Sequence, residues 1–91
     1  MAKKLILHGR VQGVFCRAYC GQYARQKRIR GTASNLPDGT VKVLLNTDDM
    51  GLVNQFISDI RNNPNGFTFY GRIEKVDVND YAGPISGDYQ F

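Results

Sequence analysis

Between residues 9 and 17 the chain reads Gly-Arg-Val-Gln-Gly-Val-Phe-Cys-Arg, two glycines and two arginines around a turn that opens a helix. Glycine reaches backbone angles that other residues avoid, so successive N–H groups can converge on one point. The free N–H groups of a helix's first turn, with the positive end of its dipole, favour a phosphate or carboxylate there. Arg17 adds a planar guanidinium able to grip two oxygens of one phosphate. The chemistry this points to is anion binding. Taken alone, the same residues also suit a plain turn between strand and helix, with arginines facing water.

A second motif follows, Gly31-Thr-Ala-Ser-Asn35-Leu-Pro-Asp38-Gly39-Thr-Val41. Asp38-Gly39 between two strand-like runs signals a hairpin, because a tight turn needs positive φ at its centre. Asn35 lies just before that turn, where an asparagine by itself reads as a strand-end residue. Together, Gly-Arg-Val-Gln-Gly-Val-x-x-Arg and Gly-x-x-x-Asn-x-x-Asp-Gly-x-Val resemble the acylphosphatase family, in order and in spacing. The resemblance covers essentially the whole chain.

The elements that must position these residues follow from periodicity. Residues 3–8 read as a strand with Leu5 and Leu7 on one face and Ile6 on the other. Residues 15–26 read as a helix lined on one side by Cys16, Cys20, Tyr23 and Ala24; Gly21 within it costs about 1 kcal/mol relative to Ala. Residues 31–35 and 40–45 form the hairpin, with Val41, Val43 and Leu45 alternating inward. Asp48 or Asp49 can cap a second helix, whose stripe of Leu52, Val53, Phe56, Ile57 and Ile60 reads as core. Asn62-Asn63-Pro64-Asn65-Gly66 ends it. Residues 66–78 read as one long, irregular strand with Ile73, Val76 and Val78 inward. Residues 83–87 are turn-rich, and 88–91 are too short to assign. This order predicts an α+β fold, a ferredoxin-like split βαβ sandwich (βαββαβ) with two helices on one face of an antiparallel sheet, as one domain over residues 1–91. Such a fold hosts many functions, so the site must carry the argument.

What the resemblance implies is specific. Arg17 corresponds to the family's phosphate-binding arginine and Asn35 to the residue that orients the attacking water. Gln12, Gly13, Val14, Phe15 and Cys16 correspond to the loop whose backbone N–H groups cradle the phosphate. The implied activity is metal-independent hydrolysis of the carboxyl–phosphate bond of small acyl phosphates, with no cofactor. The chemistry is reasonable from first principles. An acyl phosphate carries a good leaving group, so charge stabilisation and alignment of water can lower most of the barrier. An amide can hold water without titrating, and the substrate's own phosphate can accept the proton, so no His, Glu or Cys base is required. Three positions depart from the family pattern: Cys16 stands where phenylalanine is usual, Ser34 where a basic residue is common, and Lys42 where an acid is frequent. None removes a catalytic group. Arg10 reads as a residue that orders the loop or stays exposed.

Composition fits without selecting. The chain's 91 residues suit one small domain, long enough to bury roughly 60% or more of the unfolded chain's surface. Twelve basic against eight acidic side chains leave a net charge of +4, a mild pull on phosphorylated small molecules and on nucleic acid alike. No apolar run is long enough to cross a membrane, and the start lacks a signal-peptide pattern, so a cytoplasmic monomer is expected. Inorganic phosphate or sulfate is expected to compete for the anion position. Cys16 and Cys20, four apart on a helix, are poorly aimed for a disulfide and read as buried free thiols. The neighbouring helix start and Arg17 are conditions that would make Cys16 more reactive. His8 with two cysteines does not make a zinc site, and no metal is implied.

Two other functional classes match parts of the sequence. Asn65 to Arg72 reads Asn-Gly-Phe-Thr-Phe-Tyr-Gly-Arg, which partly resembles the aromatic strand on which RNA-recognition motifs stack bases. It lacks the leading basic residue, the small residue after the first aromatic and the closing aromatic, and it follows the second helix instead of preceding it. Phe67, Phe69 and Tyr70 are therefore expected to cover helix and sheet, and no nucleic-acid partner is expected. A non-catalytic anion sensor would keep the 9–17 loop without needing Asn35.

Overall fold

The computed structural model describes all residues from Met1 to Phe91. Seven elements follow in order: β1 (Ala2–Arg10), α1 (Cys16–Gln26), β2 (Gly31–Asn35), β3 (Val41–Leu45), α2 (Met50–Asn62), β4 (Arg72–Tyr81) and β5 (Tyr89–Gln90). The strands form one antiparallel sheet in the order β4-β1-β3-β2-β5. This is the expected ferredoxin-like α+β arrangement with a fifth, short strand added at one edge.

Register decides which side chains meet the helices. Leu5 lies opposite Val43 and Val78, and Val43 opposite Ala33, so these residues share one row across the sheet. Leu7, Val41, Val76 and Asn35 share the next row on the same face. Leu5, Leu7, Val41, Val43 and Leu45 are fully buried, in one core with Cys16, Tyr19, Cys20, Tyr23 and Ala24 of α1 and Val53, Phe56 and Ile60 of α2. Both helices therefore cover that face. Asn35 sits on it too, at the end of its row.

The alternation expected for β3 needs one amendment. Leu44 points to the other face and is still only 1% exposed. The chain after β4 returns across that face: the Thr32 hydroxyl donates to the Ser86 carbonyl, and the Asp88 N–H donates to the Ser34 hydroxyl. The 86–88 segment thereby feeds β5 onto the free edge of β2, closing the unsatisfied edge of the sheet.

Several boundaries shift for local reasons. β1 runs past His8 to Arg10, with a break of register between His8 and Gly9. Gly9 has φ +124°, and a Cβ there would lie 2.4 Å from the Arg72 carbonyl oxygen, so only glycine passes. Asp49, not Asp48, caps α2, its carboxylate accepting the Leu52 N–H at 3.2 Å. α1 begins at Cys16, because Phe15 adopts left-handed angles.

The long strand expected over 66–78 is corrected. Residues 66–71 are irregular, and the strand starts at Arg72. Asn63 ends α2 in a left-handed conformation, and its carboxamide holds the Phe67 N–H and carbonyl at 2.9 Å each. Phe69 then stacks on Tyr19 with centroids 4.4 Å apart, while Phe67 packs on Tyr23 at 4.9 Å. Burying two rings against α1 outweighs extending the ladder. Tyr70 does not join them: it is 70% exposed.

Tyr23 ties these parts together. Its hydroxyl donates to Asn63 Oδ1 at 2.7 Å and accepts the Asn65 N–H at 3.0 Å, linking α1 to the cap of α2. Tyr23→Phe leaves both groups short of a partner without creating a cavity. The expected loss is about 1–2 kcal/mol, read from urea unfolding; an unchanged midpoint would show that water replaces the hydroxyl.

Candidate active site

The loop between β1 and α1 turns twice at positive φ, at Gly13 (+71°) and at Phe15 (+66°). A bulky side chain at such angles stores roughly 1–3 kcal/mol of strain. The hold on the loop is correspondingly firm. The Gln12 carboxamide donates to the Leu36 carbonyl at 2.6 Å and to the Thr40 carbonyl at 2.9 Å, fastening the loop to the β2–β3 hairpin. From the other side, the Tyr70 N–H donates to the Val14 carbonyl at 3.2 Å.

The hairpin is itself rigid. The Leu36 N–H donates to the Thr40 carbonyl, and the Gly39 N–H to the Leu36 carbonyl. The Asp38 carboxylate accepts the Thr40 hydroxyl at 2.6 Å and its N–H at 3.0 Å, and these bonds hold its pKa below the usual carboxylate value. Asn35 is thus placed by the sheet on one side and a closed turn on the other.

A cavity of about 370 Å³ opens where these parts meet, lined by Val11, Gly13, Phe15, Cys16, Arg17, Ala18, Asn35, Asp88 and Tyr89. Arg17 and Asn35, 18 residues apart in sequence, line the same space. Of the other residues singled out in the loop, Gly13, Phe15 and Cys16 line it. The side chains of Gln12 and Val14 do not: Gln12 serves as the fastener, and Val14 is buried. The N–H groups of residues 12–17 donate no hydrogen bond within the chain. They are donors at the start of a helix, next to a guanidinium. Outside the sheet, Asn35 engages only through its backbone N–H, leaving its carboxamide available.

Asp88 is the residue that sequence reasoning missed. Its carboxylate lies 3.7 Å from Arg17 Nη1 and accepts the Asn35 N–H at 3.3 Å. It thus makes two contacts of the kind a phosphate oxygen would make. At 3.7 Å it tethers the guanidinium by charge while leaving the planar fork of donors free. Nothing within the four-residue tail could have revealed this, since β5 is placed by its pairing with β2.

The cysteines are free and buried, their sulfurs 3.9 Å apart. The Cys20 thiol is pushed well above its ordinary pKa by its hydrogen bond with Cys16 and by burial, and it stays protonated. His8 lies away from the cavity, its Nε2 2.8 Å from Asp77 Oδ2. No three His, Cys, Asp or Glu side chains cluster closely enough to hold a metal ion, and no helix is long and apolar enough to cross a membrane.

Comparison with known proteins identifies the family and the fold. The acylphosphatase family model matches residues 3–90. An acylphosphatase of Petrotoga mobilis is 34% identical over 89 residues, covering 98% of this chain and 91% of its own. One from Latilactobacillus sakei is 39% identical over 75 residues, 82% of this chain and 77% of its own. Among solved structures, the acylphosphatase from Bacillus subtilis superposes with a TM-score of 0.71 at 22% identity, over 86% of this chain and 81% of its own. With its characteristic loop, its hairpin and nearly its whole length matched, the chain belongs to the acylphosphatase family of hydrolases.

Proposed function

We propose that residues 1–91 act as one acylphosphatase-like domain, a cytoplasmic monomer that hydrolyses small acyl phosphates to a carboxylate and inorganic phosphate. The observation that supports this is the meeting of Arg17, Asn35 and the loop residues Gly13, Phe15 and Cys16 around one cavity, in a loop whose N–H groups are unpaired within the chain. Arg17 and the loop amides of Gln12, Gly13, Val14, Phe15 and Cys16 hold the phosphoryl oxygens. Fixed donors of this kind need no reorganisation as charge shifts towards the leaving carboxylate. Asn35 accepts a hydrogen bond from water and aims it at phosphorus. The water oxygen bonds to phosphorus as the acyl C–O–P link breaks at the P–O bond, and the water proton passes to a phosphoryl oxygen. Inorganic phosphate or sulfate occupies the same anion position and competes.

Asp88 modulates the anion position. Its negative charge lies beside Arg17 without occupying the guanidinium's donors, so a phosphate binds there against its repulsion. Both side chains are about half exposed, 42% and 54%, so solvent screens the pair and the effect is small.

The deciding experiment is turnover of benzoyl phosphate with EDTA present, which tests activity and metal independence together; no turnover would sink the reading. Arg17→Ala should lower kcat/KM by at least about 10²-fold and remove inhibition by inorganic phosphate, with the circular dichroism spectrum retained. Near-normal activity would overturn its role. Asn35→Ala should lower kcat by about 10²-fold while inhibition by phosphate changes by less than about threefold; an equal loss of phosphate affinity would contradict its assignment to water. Asp88→Asn should tighten inhibition by phosphate about two- to fivefold. Weaker inhibition would mean that the carboxylate serves chiefly to orient Arg17.

A further inference from the structure

Phe15 and Tyr70 are two large aromatic side chains that the fold leaves open, at 63% and 70% exposure, with centroids 5.7 Å apart and planes tilted by 58°. Single exposed apolar side chains need no explanation. This pair differs, because each member is held in place by the loop, Phe15 under backbone strain and Tyr70 by a hydrogen bond. Phe15 is bent to φ +66° at the mouth of the cavity and lines it beside Arg17 and Asn35. Tyr70 is clamped to the same loop: its N–H donates to the Val14 carbonyl at 3.2 Å. The next residue, Gly71, lies so close to the loop that a Cβ would sit 1.9 Å from the Arg10 carbonyl oxygen and 2.5 Å from Val14 Cγ2. Neighbouring Phe67 and Phe69 turn inward onto α1, whereas Tyr70 turns outward onto Phe15.

We propose that Phe15 and Tyr70 form the wall that receives the acyl group of the substrate, and that they bias the enzyme towards acyl phosphates with an aromatic acyl group. The inference rests on the proposed activity. Once the phosphoryl group is seated against Arg17 and the loop amides, an acyl group that projects along Phe15 meets the Tyr70 ring beside it. A tilted aromatic pair offers a third ring both a face and an edge, the two arrangements that aromatic quadrupoles favour. An acetyl group is too small to gain from it. The Tyr70 hydroxyl is not needed; its ring is.

The test compares kcat/KM for benzoyl phosphate with that for acetyl phosphate, because the ratio within one variant, referred to wild type, cancels the substrates' different intrinsic reactivity. Tyr70→Ala should lower that ratio about three- to tenfold, and Tyr70→Phe should restore it. An equal change for both substrates, or no change, would overturn the inference while leaving the activity standing. Binding of benzylphosphonate against methylphosphonate, followed by calorimetry, reads the same preference without turnover. Wild type should favour the benzyl compound and Tyr70→Ala should lose that preference about three- to tenfold. Absence of turnover with both substrates would dispose of the activity reading, whereas equal phosphonate affinities in wild type would dispose of the aromatic wall.

Discussion

One side-chain amide holds the site together. Gln12 gives both N–H hydrogens to carbonyls of the β2–β3 turn, at Leu36 and Thr40. Those two bonds join segments that the chain order keeps apart: the loop whose N–H groups are left unpaired and the strand end that carries Asn35. Without them the loop would be held only from its other flank, by the Tyr70 N–H on the Val14 carbonyl, and nothing would fix it against Asn35. With them, the distance from the loop to Asn35 is fixed by a short covalent path through Leu36. The proposed mechanism, which works by alignment, depends on that constraint more than on any titrating group.

The sheet makes the constraint possible. β1 and β3 are paired from Lys3–Leu45 through Leu7–Val41, which delivers the end of β1 and the start of β3 to the same edge of the molecule. The register shift at His8 and Gly9 then lets β1 stay paired to β4 as it approaches the loop. Beneath lies a core with no buried side-chain polar atom lacking a partner. The Tyr19 phenol donates to the Ile60 carbonyl at 2.7 Å, and burial raises its pKa. The site thus stands on a rigid base, while its donors face outward.

What the sequence made legible was local or periodic. The alternation of Leu5 and Leu7, the stripe of α2 and the Asp38-Gly39 turn each involve neighbours in sequence or in a short hairpin, and each is found in place. Arg17 and Asn35 could be paired because their spacing matched a known pattern, although nothing in the spacing alone says that they face one space. The failures share one cause. Residues 66–71 have strand-like composition, and rings on α1 capture Phe67 and Phe69 instead. Tyr70 escapes that capture because its backbone is bound to Val14, a contact across 56 positions. Asp88 reaches Arg17 only because β5 adds to the far edge of β2. Composition carries no information about such long-range contacts.

Strain and support are arranged in one direction. Phe15, forced left-handed, would relax if the loop were free, yet the loop is gripped on one flank by Gln12 and on the other by Tyr70. The gain from those bonds, about 1 kcal/mol each when partly buried, is of the order needed to offset one residue at left-handed angles. Relaxing Phe15 towards ordinary helical angles would shift the start of α1, and Arg17 is the second residue of that helix. The strained conformation therefore sets where the helix begins, and with it the place of the only guanidinium in the cavity. A site that works through geometry keeps its strain where geometry is decided.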